Sequence, residues 1–170
     1  MQYKQLRAPS GGMAPALWPA MRLLLSLVLA TALGACAAPT APDNPADQLE
    51  QARARWQQAG IASYRYTITR TCECTPEMTG PVTVEVRSGQ VASQRYETGS
   101  AVDPQYADLF APVPGLFDLI ERAILLPAAS VSVRYHQTLG YPESIAIDEV
   151  AGVVDDEVSY RVTGFAEVAN

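Results

Sequence analysis

The spacing of apolar and polar residues along the chain predicts two amphipathic helices. Residues 45–59 form the first, with Asn44 as its N-cap and Gly60 as its C-cap. Residues 114–126 form the second, and Pro127 ends it because proline cannot continue a helix. The apolar residues that recur at helical spacing are Leu49, Ala52 and Trp56 in the first helix and Leu116, Phe117, Ile120, Ala123 and Ile124 in the second. We therefore expect each helix to bury one face.

Alternation with a period of two predicts six strands. They cover residues 63–71, 81–87, 90–96, 130–135, 143–148 and 157–165. Residues 76–81 and 97–112 are rich in proline and glycine and are expected to be loops. The order is helix, three strands, helix, three strands, which is typical of an α+β domain. We expect a largely antiparallel sheet with both helices packed on one face.

An apolar run over residues 23–30 precedes the sequence Leu33-Gly34-Ala35-Cys36. The run is too short for a membrane-spanning helix, which needs about 20 residues. A charged start, a short apolar core and small residues before a break are typical of a secretory signal. Its ending resembles a bacterial lipobox, in which the cysteine is acylated and the chain is cut before it. The alternative is an ordinary cleaved signal in which Cys36 has no role.

The lipobox interpretation divides the chain into a signal peptide over residues 1–35, a flexible tether over 36–45 and one domain over 46–170. Acyl chains of the palmitate class on Cys36 would attach the protein to a membrane, since more than one chain gives firm anchoring. Ala37 resembles the default signal for the outer membrane. We therefore expect a bacterial envelope protein, on the periplasmic face of an outer membrane where there is one and otherwise on the outer face of the cell membrane.

Charge excludes nucleic acid as an expected partner. Without residues 1–35, which hold three basic residues and no acidic one, nine arginines face eighteen acidic residues, a net charge of −9. Such a surface repels phosphate backbones. Membrane attachment through Cys36 and an unidentified envelope protein are the partners we expect.

Several segments resemble an uncharacterised family of bacterial lipoproteins, the 6174 domain-of-unknown-function family, over residues 48–166. The segments that carry the resemblance are Trp56, Tyr64-Arg65-Tyr66-Thr67, Cys72-Glu73-Cys74, residues 81–86 with Gly89, Leu116-Phe117, Tyr135, Gly140-Tyr141-Pro142, residues 145–148 and residues 155–157. The resemblance implies a secreted or lipid-anchored envelope protein. It implies no activity.

With Cys36 acylated, Cys72 and Cys74 are the only remaining cysteines, and the export compartment is oxidising. On a flat strand their Cα atoms would lie about 6.6 Å apart, near the upper limit for a disulfide. A disulfide therefore requires the strand to bend. A structural disulfide, a redox-active pair, free thiols, intermolecular links and a zinc site with His136 all stay open.

Acidic residues cluster near the last turn and make a weak calcium site, with Asp148, Asp155, Asp156 and Glu157 as the candidate ligands. The alternative is that they keep one end of the sheet soluble. The sequence lacks the glycines of a hydrolase nucleophile elbow and of a phosphate-binding loop. It also has no motif that supports a Ser, His and Asp catalytic set. We expect no cofactor, no catalytic residues and no firm metal site.

These patterns favour a non-enzymatic envelope lipoprotein that acts as a binding or structural module. One alternative is a thiol–disulfide redox protein or sensor that uses Cys72 and Cys74. Another is a secreted inhibitor whose sheet and helices present a face to a protein partner, an idea that rests on analogy of fold alone.

Overall fold

A computed structural model describes residues 44–126, 128–150, 152, 153 and 156–169. The chain divides into two units, Met1–Thr40 and Ala41–Asn170, and the described residues all belong to the second. The predicted signal peptide, Cys36 and most of the predicted tether lie outside the described residues, as does Asp155. Their interpretation therefore remains a prediction from sequence.

Two α-helices form where the sequence predicts them. Helix α1 is Pro45–Ala59, and the side chain of Asn44 accepts a hydrogen bond from the backbone N–H of Ala46 at 3.0 Å. Gly60 ends α1 in the left-handed region with φ of 63°, where glycine has no steric cost. Helix α2 is Val113–Leu125. The hydroxyl oxygen of Tyr64 accepts from the N–H of Val113 at 3.1 Å and so fixes where α2 begins.

Six strands form one antiparallel sheet in the order β3-β2-β1-β6-β5-β4. The strands are β1 Tyr64–Thr71, β2 Val82–Arg87, β3 Gln90–Tyr96, β4 Ser130–Tyr135, β5 Pro142–Asp148 and β6 Glu157–Glu167. The first and last strands therefore lie side by side in the centre. Ile68 is opposite Val162, and Thr71 is opposite Ser159.

The inner face of the sheet and both helices enclose one hydrophobic core. Tyr64, Tyr66 and Ile68 of β1 are almost fully buried. Trp56 of α1 packs edge-on against Tyr64 with ring centroids 5.2 Å apart, and the hydroxyl of Tyr66 donates to the backbone carbonyl that precedes α2. Contacts from both helices therefore reach the same face of the central strand.

The outer face of the sheet carries mostly serine, threonine and arginine. Register places Thr67 of β1 between Thr83 and Thr163, and Arg161 of β6 between Thr69 and Ser144. This polar face explains why the strands alternate so regularly in sequence.

The α+β class and the antiparallel sheet are confirmed, whereas the predicted element order is incomplete. The structure adds two 3-10 helices, Pro76–Met78 and Pro104–Phe110, in segments predicted to be loops. The second of these is fixed by tertiary contacts, since Phe110 is fully buried and Gln94 Nε2 donates to the carbonyls of Ala107 and Phe110 at 2.8 Å each.

Candidate functional site

The two cysteines lie just past the end of β1, where the chain bends. The backbone N–H of Cys74 donates to the carbonyl of Cys72 at 2.9 Å, which closes a three-residue turn. This turn brings the Cα atoms to 5.3 Å, well within the range for a disulfide, and the two sulfur atoms lie at bonding distance. The chain is therefore bent between Cys72 and Cys74, as a disulfide between them requires.

Arg70 joins the cysteine pair to the inner face of the sheet. Its Nη1 lies 2.6 Å from Cys72 Sγ and 3.2 Å from Cys74 Sγ. Its Nε donates to the hydroxyl of Tyr160 at 3.1 Å, and the guanidinium carbon lies 5.8 Å from the centre of that ring. Sequence reasoning missed this contact. The spacing in the sequence could have indicated it, because residues 70, 72 and 74 follow at intervals of two on the face of the strand that begins with Tyr64 and Tyr66.

An open groove of about 530 Å³ begins at Arg70 and runs between the last turns of α2 and the ends of β5 and β6. Its volume is within the range of ligand pockets, which are mostly apolar with a few polar groups. The described residues that line it are seven apolar residues, two arginines, one acid and one tyrosine: Leu119, Ala123, Leu126, Ala128, Ile147, Val150, Val158, Arg70, Arg122, Glu149 and Tyr160.

Exposed apolar side chains concentrate at the rim of this groove. Leu126 is 65% exposed and Val150 is 54% exposed, and neighbouring Leu125 is 76% exposed. Single exposed apolar residues are normal, but a contiguous group beside a concave surface is typical of a binding site.

The two arginines of the groove have no carboxylate partner among the described residues. Arg122 lies in the last turn of α2, where the helix dipole favours a cation. The acids on the exposed side of α2 are engaged elsewhere, because Arg53 of α1 pairs with Asp118 at 3.3 Å and with Glu121 at 3.1 Å. Among the described residues that line the groove, Glu149 is the only acidic one. The groove is thus locally cationic in an acidic domain.

The predicted calcium ligands form no complete site in the described part of the chain. Asp148 and Glu157 lie directly opposite each other on β5 and β6. Asp148 Oδ1 and both carboxylate oxygens of Asp156 are buried without a hydrogen-bond partner. Asp155 is outside the described residues, and among those described no three His, Cys, Asp or Glu side chains are grouped for a metal.

His136 is held within its own hairpin. Its Nδ1 accepts from the N–H of Leu139 at 3.1 Å, and its ring stacks on Tyr141 with centroids 4.8 Å apart. Cys72, Cys74 and His136 were the candidate ligands of a zinc site. In the described part of the chain they are not grouped as metal ligands.

The tyrosines that alternate in the sequence are mostly core residues. Burial raises the pKa of Tyr64 to about 12 and raises the pKa of Tyr66 well above its ordinary value. Burial also raises the pKa of Tyr135 to about 12, although Arg53 and Arg55 oppose the shift. These phenols are neutral at physiological pH and act by packing and hydrogen bonding.

The described chain is thus a small α+β domain with an apolar, cationic groove beside a cysteine pair. Residues 48–167, more than two thirds of the chain, match a family of unknown function, DUF6174, and the chain belongs to that family. No curated protein and no solved structure matches the chain significantly. Among the described residues, no helix has both the length and the apolarity to cross a membrane.

Proposed function

We propose that this chain is an envelope lipoprotein whose domain is a non-enzymatic binding module, and that the groove at the end of α2 is its binding surface. The observation that carries the proposal is the combination of an apolar floor with two arginines, Arg70 and Arg122, to which the described residues supply no carboxylate partner. Arginine stays protonated at neutral pH, so these groups suit anion binding better than proton transfer.

The anchor part of the proposal rests on Leu33-Gly34-Ala35-Cys36. Cells that express the full chain should incorporate labelled palmitate into it, and fractionation should recover it with envelope membranes. Cys36→Ala should abolish both results. The double variant Cys72→Ala and Cys74→Ala is the matched control and should keep the label. Palmitate that persists in Cys36→Ala would contradict the anchor assignment.

The binding part can be tested on residues 41–170, because among the described residues the buried core extends from Leu49 to Val162 and the second compact unit of the chain is Ala41–Asn170. The probe is 1-anilinonaphthalene-8-sulfonate, an anionic dye that becomes fluorescent on apolar surfaces. We expect saturable binding to the folded domain. Near-ultraviolet circular dichroism must show that tertiary packing is intact.

Ala123→Trp is designed to fill the groove, since Ala123 lines it. We expect dye binding at least tenfold weaker in this variant. The matched control is Ala101→Trp, since Ala101 is an exposed alanine beside β3 and lies away from the groove lining. Equal dye affinity in both variants, or no dye binding to the unmodified domain, would refute the groove as the binding surface.

A second candidate function is a thiol–disulfide redox protein or sensor. The specific observation in its favour is that Arg70 contacts both sulfur atoms, because a guanidinium at hydrogen-bond distance favours a thiolate in the reduced pair. Mass spectrometry should then show a two-hydrogen mass deficit that mild reductant removes. Arg70→Gln should slow alkylation of the reduced pair at neutral pH relative to Arg70→Lys. A deficit that resists mild reductant would exclude this role.

A further inference from the structure

We infer that the groove binds an amphiphile with one acyl chain and an anionic head, with the chain on the apolar floor and the head between Arg70 and Arg122. This inference rests on the proposed function, since it names the ligand class of the same groove. A fatty-acid carboxylate and the phosphate of a lysophospholipid are two sources of this chemistry.

The floor and wall of the groove are suited to an acyl chain. Ile147 and Val158 continue the inner face of the sheet, and the wall is formed by Leu119 and Ala123 of α2 and by Leu126, which follows the helix. The groove is open and about 530 Å³ in volume, and so suits an extended chain more than a compact polar solute. Each methylene buried there should tighten binding by about fourfold.

Arg70 has hydrogen-bond donors that the described residues leave available for an anionic head group. A guanidinium has five N–H donors, and here Nη1 serves the cysteine sulfurs and Nε serves Tyr160. Nη2 has no partner within the described part of the chain, and neither does the side chain of Arg122. Bidentate pairing with carboxylate or phosphate is the geometry that guanidinium groups favour. The carboxylate of Glu149 on the rim repels an anionic head group and so limits the affinity of the groove for such a ligand.

The position of the groove on the domain agrees with a ligand from a membrane. Pro45, the first residue of α1, lines a small hollow with Ile124 of α2, one residue from the groove wall at Ala123. The chain therefore enters the domain at the same end of α2 as the groove. The proposed anchor, Cys36, is nine residues before Pro45 in the sequence. An acylated Cys36 would keep the domain beside a membrane that contains such lipids.

The test is displacement of 1-anilinonaphthalene-8-sulfonate from residues 41–170 by monomeric amphiphiles. The probes are decanoate, dodecanoate and tetradecanoate, monododecanoylglycerol as a neutral analogue, and dodecanoyl lysophosphatidylglycerol. We expect displacement that strengthens about fourfold per methylene. The neutral analogue should be at least tenfold weaker than dodecanoate. Tighter binding of dodecanoate would identify a fatty acid as the source of the ligand, and tighter binding of the lysophosphatidylglycerol would identify a lysophospholipid; either result supports the inference.

Single variants then test the role of each charge. Arg122→Gln should weaken dodecanoate at least fivefold and leave the neutral analogue unchanged, and Arg70→Gln should do the same. Glu149→Gln should tighten dodecanoate. Ala123→Trp should weaken both probes, whereas Ala101→Trp should weaken neither. This pattern separates an anion-binding groove from a surface that is merely apolar.

Three results would overturn the inference in distinguishable ways. If the dye binds in the groove and none of the acyl anions displaces it, the ligand class is wrong and the proposed binding function stands. If acyl anions and the neutral analogue bind with equal affinity, and the arginine variants do not change the affinity for dodecanoate, the inference that the ligand has an anionic head is wrong. If neither dye nor amphiphile binds to a domain with intact near-ultraviolet circular dichroism, both the inference and the proposed groove function are wrong.

Discussion

Gly140→Ala should destabilise the domain far more than an ordinary glycine substitution. Gly140 lies in the β4–β5 hairpin with φ of +79°, and its N–H donates to the carbonyl of His136 at 2.9 Å. A Cβ built there would overlap the carbonyl oxygen of Ala52 and lie 2.9 Å from Arg55 Cβ. Ala52 is fully buried in α1, so the helix backbone cannot yield. The hairpin would have to move off α1.

The expected cost has two parts. Left-handed backbone costs a non-glycine residue about 1–2 kcal/mol, and forcing an extra methyl into a packed contact costs about 1–3 kcal/mol. We therefore expect a loss of about 3–4 kcal/mol for Gly140→Ala. Gly99→Ala is the matched control, because Gly99 has φ of +89° and nothing within 4 Å of an added Cβ. It should lose only about 1–2 kcal/mol.

Urea unfolding of residues 41–170 measures both variants. Trp56 is the only tryptophan in that segment and is 8% exposed in the core, so its fluorescence reports unfolding. The midpoints should shift while the slopes stay constant. Equal losses for Gly140→Ala and Gly99→Ala would show that the close approach of the hairpin to α1 does not contribute, and would refute the reasoning.

Three further predictions follow from the hydrogen bonds and the buried phenols. The raised pKa values of Tyr64 and Tyr66 mean that the folded state holds these protons more tightly than the unfolded chain, so stability is full below pH 10 and falls as pH rises toward 12. Urea midpoints that stay flat over that interval would contradict this, and Tyr64→Phe should reduce the fall. Asn44→Ala should cost about 1 kcal/mol by thermal melting, whereas Asn44→Asp should keep the helix cap. Gln94→Ala should make the 3-10 helix Pro104–Phe110 sensitive to limited proteolysis because both bonds from its amide are lost, and unchanged cleavage would count against that contact.

The parts of the fold that the sequence predicted are those fixed by local interactions. Helix α1 begins and ends at the predicted residues because a side-chain cap at Asn44 and a left-handed glycine at Gly60 act within the same helix. The 3-10 helix Pro104–Phe110 was not predicted, since Gln94 from another element holds its carbonyls. The pairing of β1 with β6 joins the two ends of the domain, and no local signal specifies it.

The same distinction applies to the candidate site. The need for a bend between Cys72 and Cys74 could be predicted from the sequence, because a disulfide can bridge only a limited distance between two Cα atoms and this limit acts locally. The groove was missed because its lining comes from β1, α2, β5, β6 and the residues after β5. Gly140-Tyr141-Pro142, part of the family resemblance, has a structural role: Gly140 approaches α1, and the Tyr141 ring stacks on the rings of His136 and Phe165. A resemblance at such residues carries information on the fold and none on the ligand.

Arg70 connects the two proposed functions through its charge. It lies at an inner-face position that apolar residues occupy earlier in β1, and its described partners are a phenol and two sulfur atoms. Bonded sulfurs and a phenol hydroxyl supply no carboxylate, so this half-buried guanidinium can still pair with an anion. An acyl anion in the groove supplies one, and a thiolate of the reduced pair supplies another. The two would compete for the same guanidinium. Reduction of Cys72 and Cys74 should therefore weaken dodecanoate binding, and the double Cys→Ala variant at these positions should bind dodecanoate equally with and without reductant.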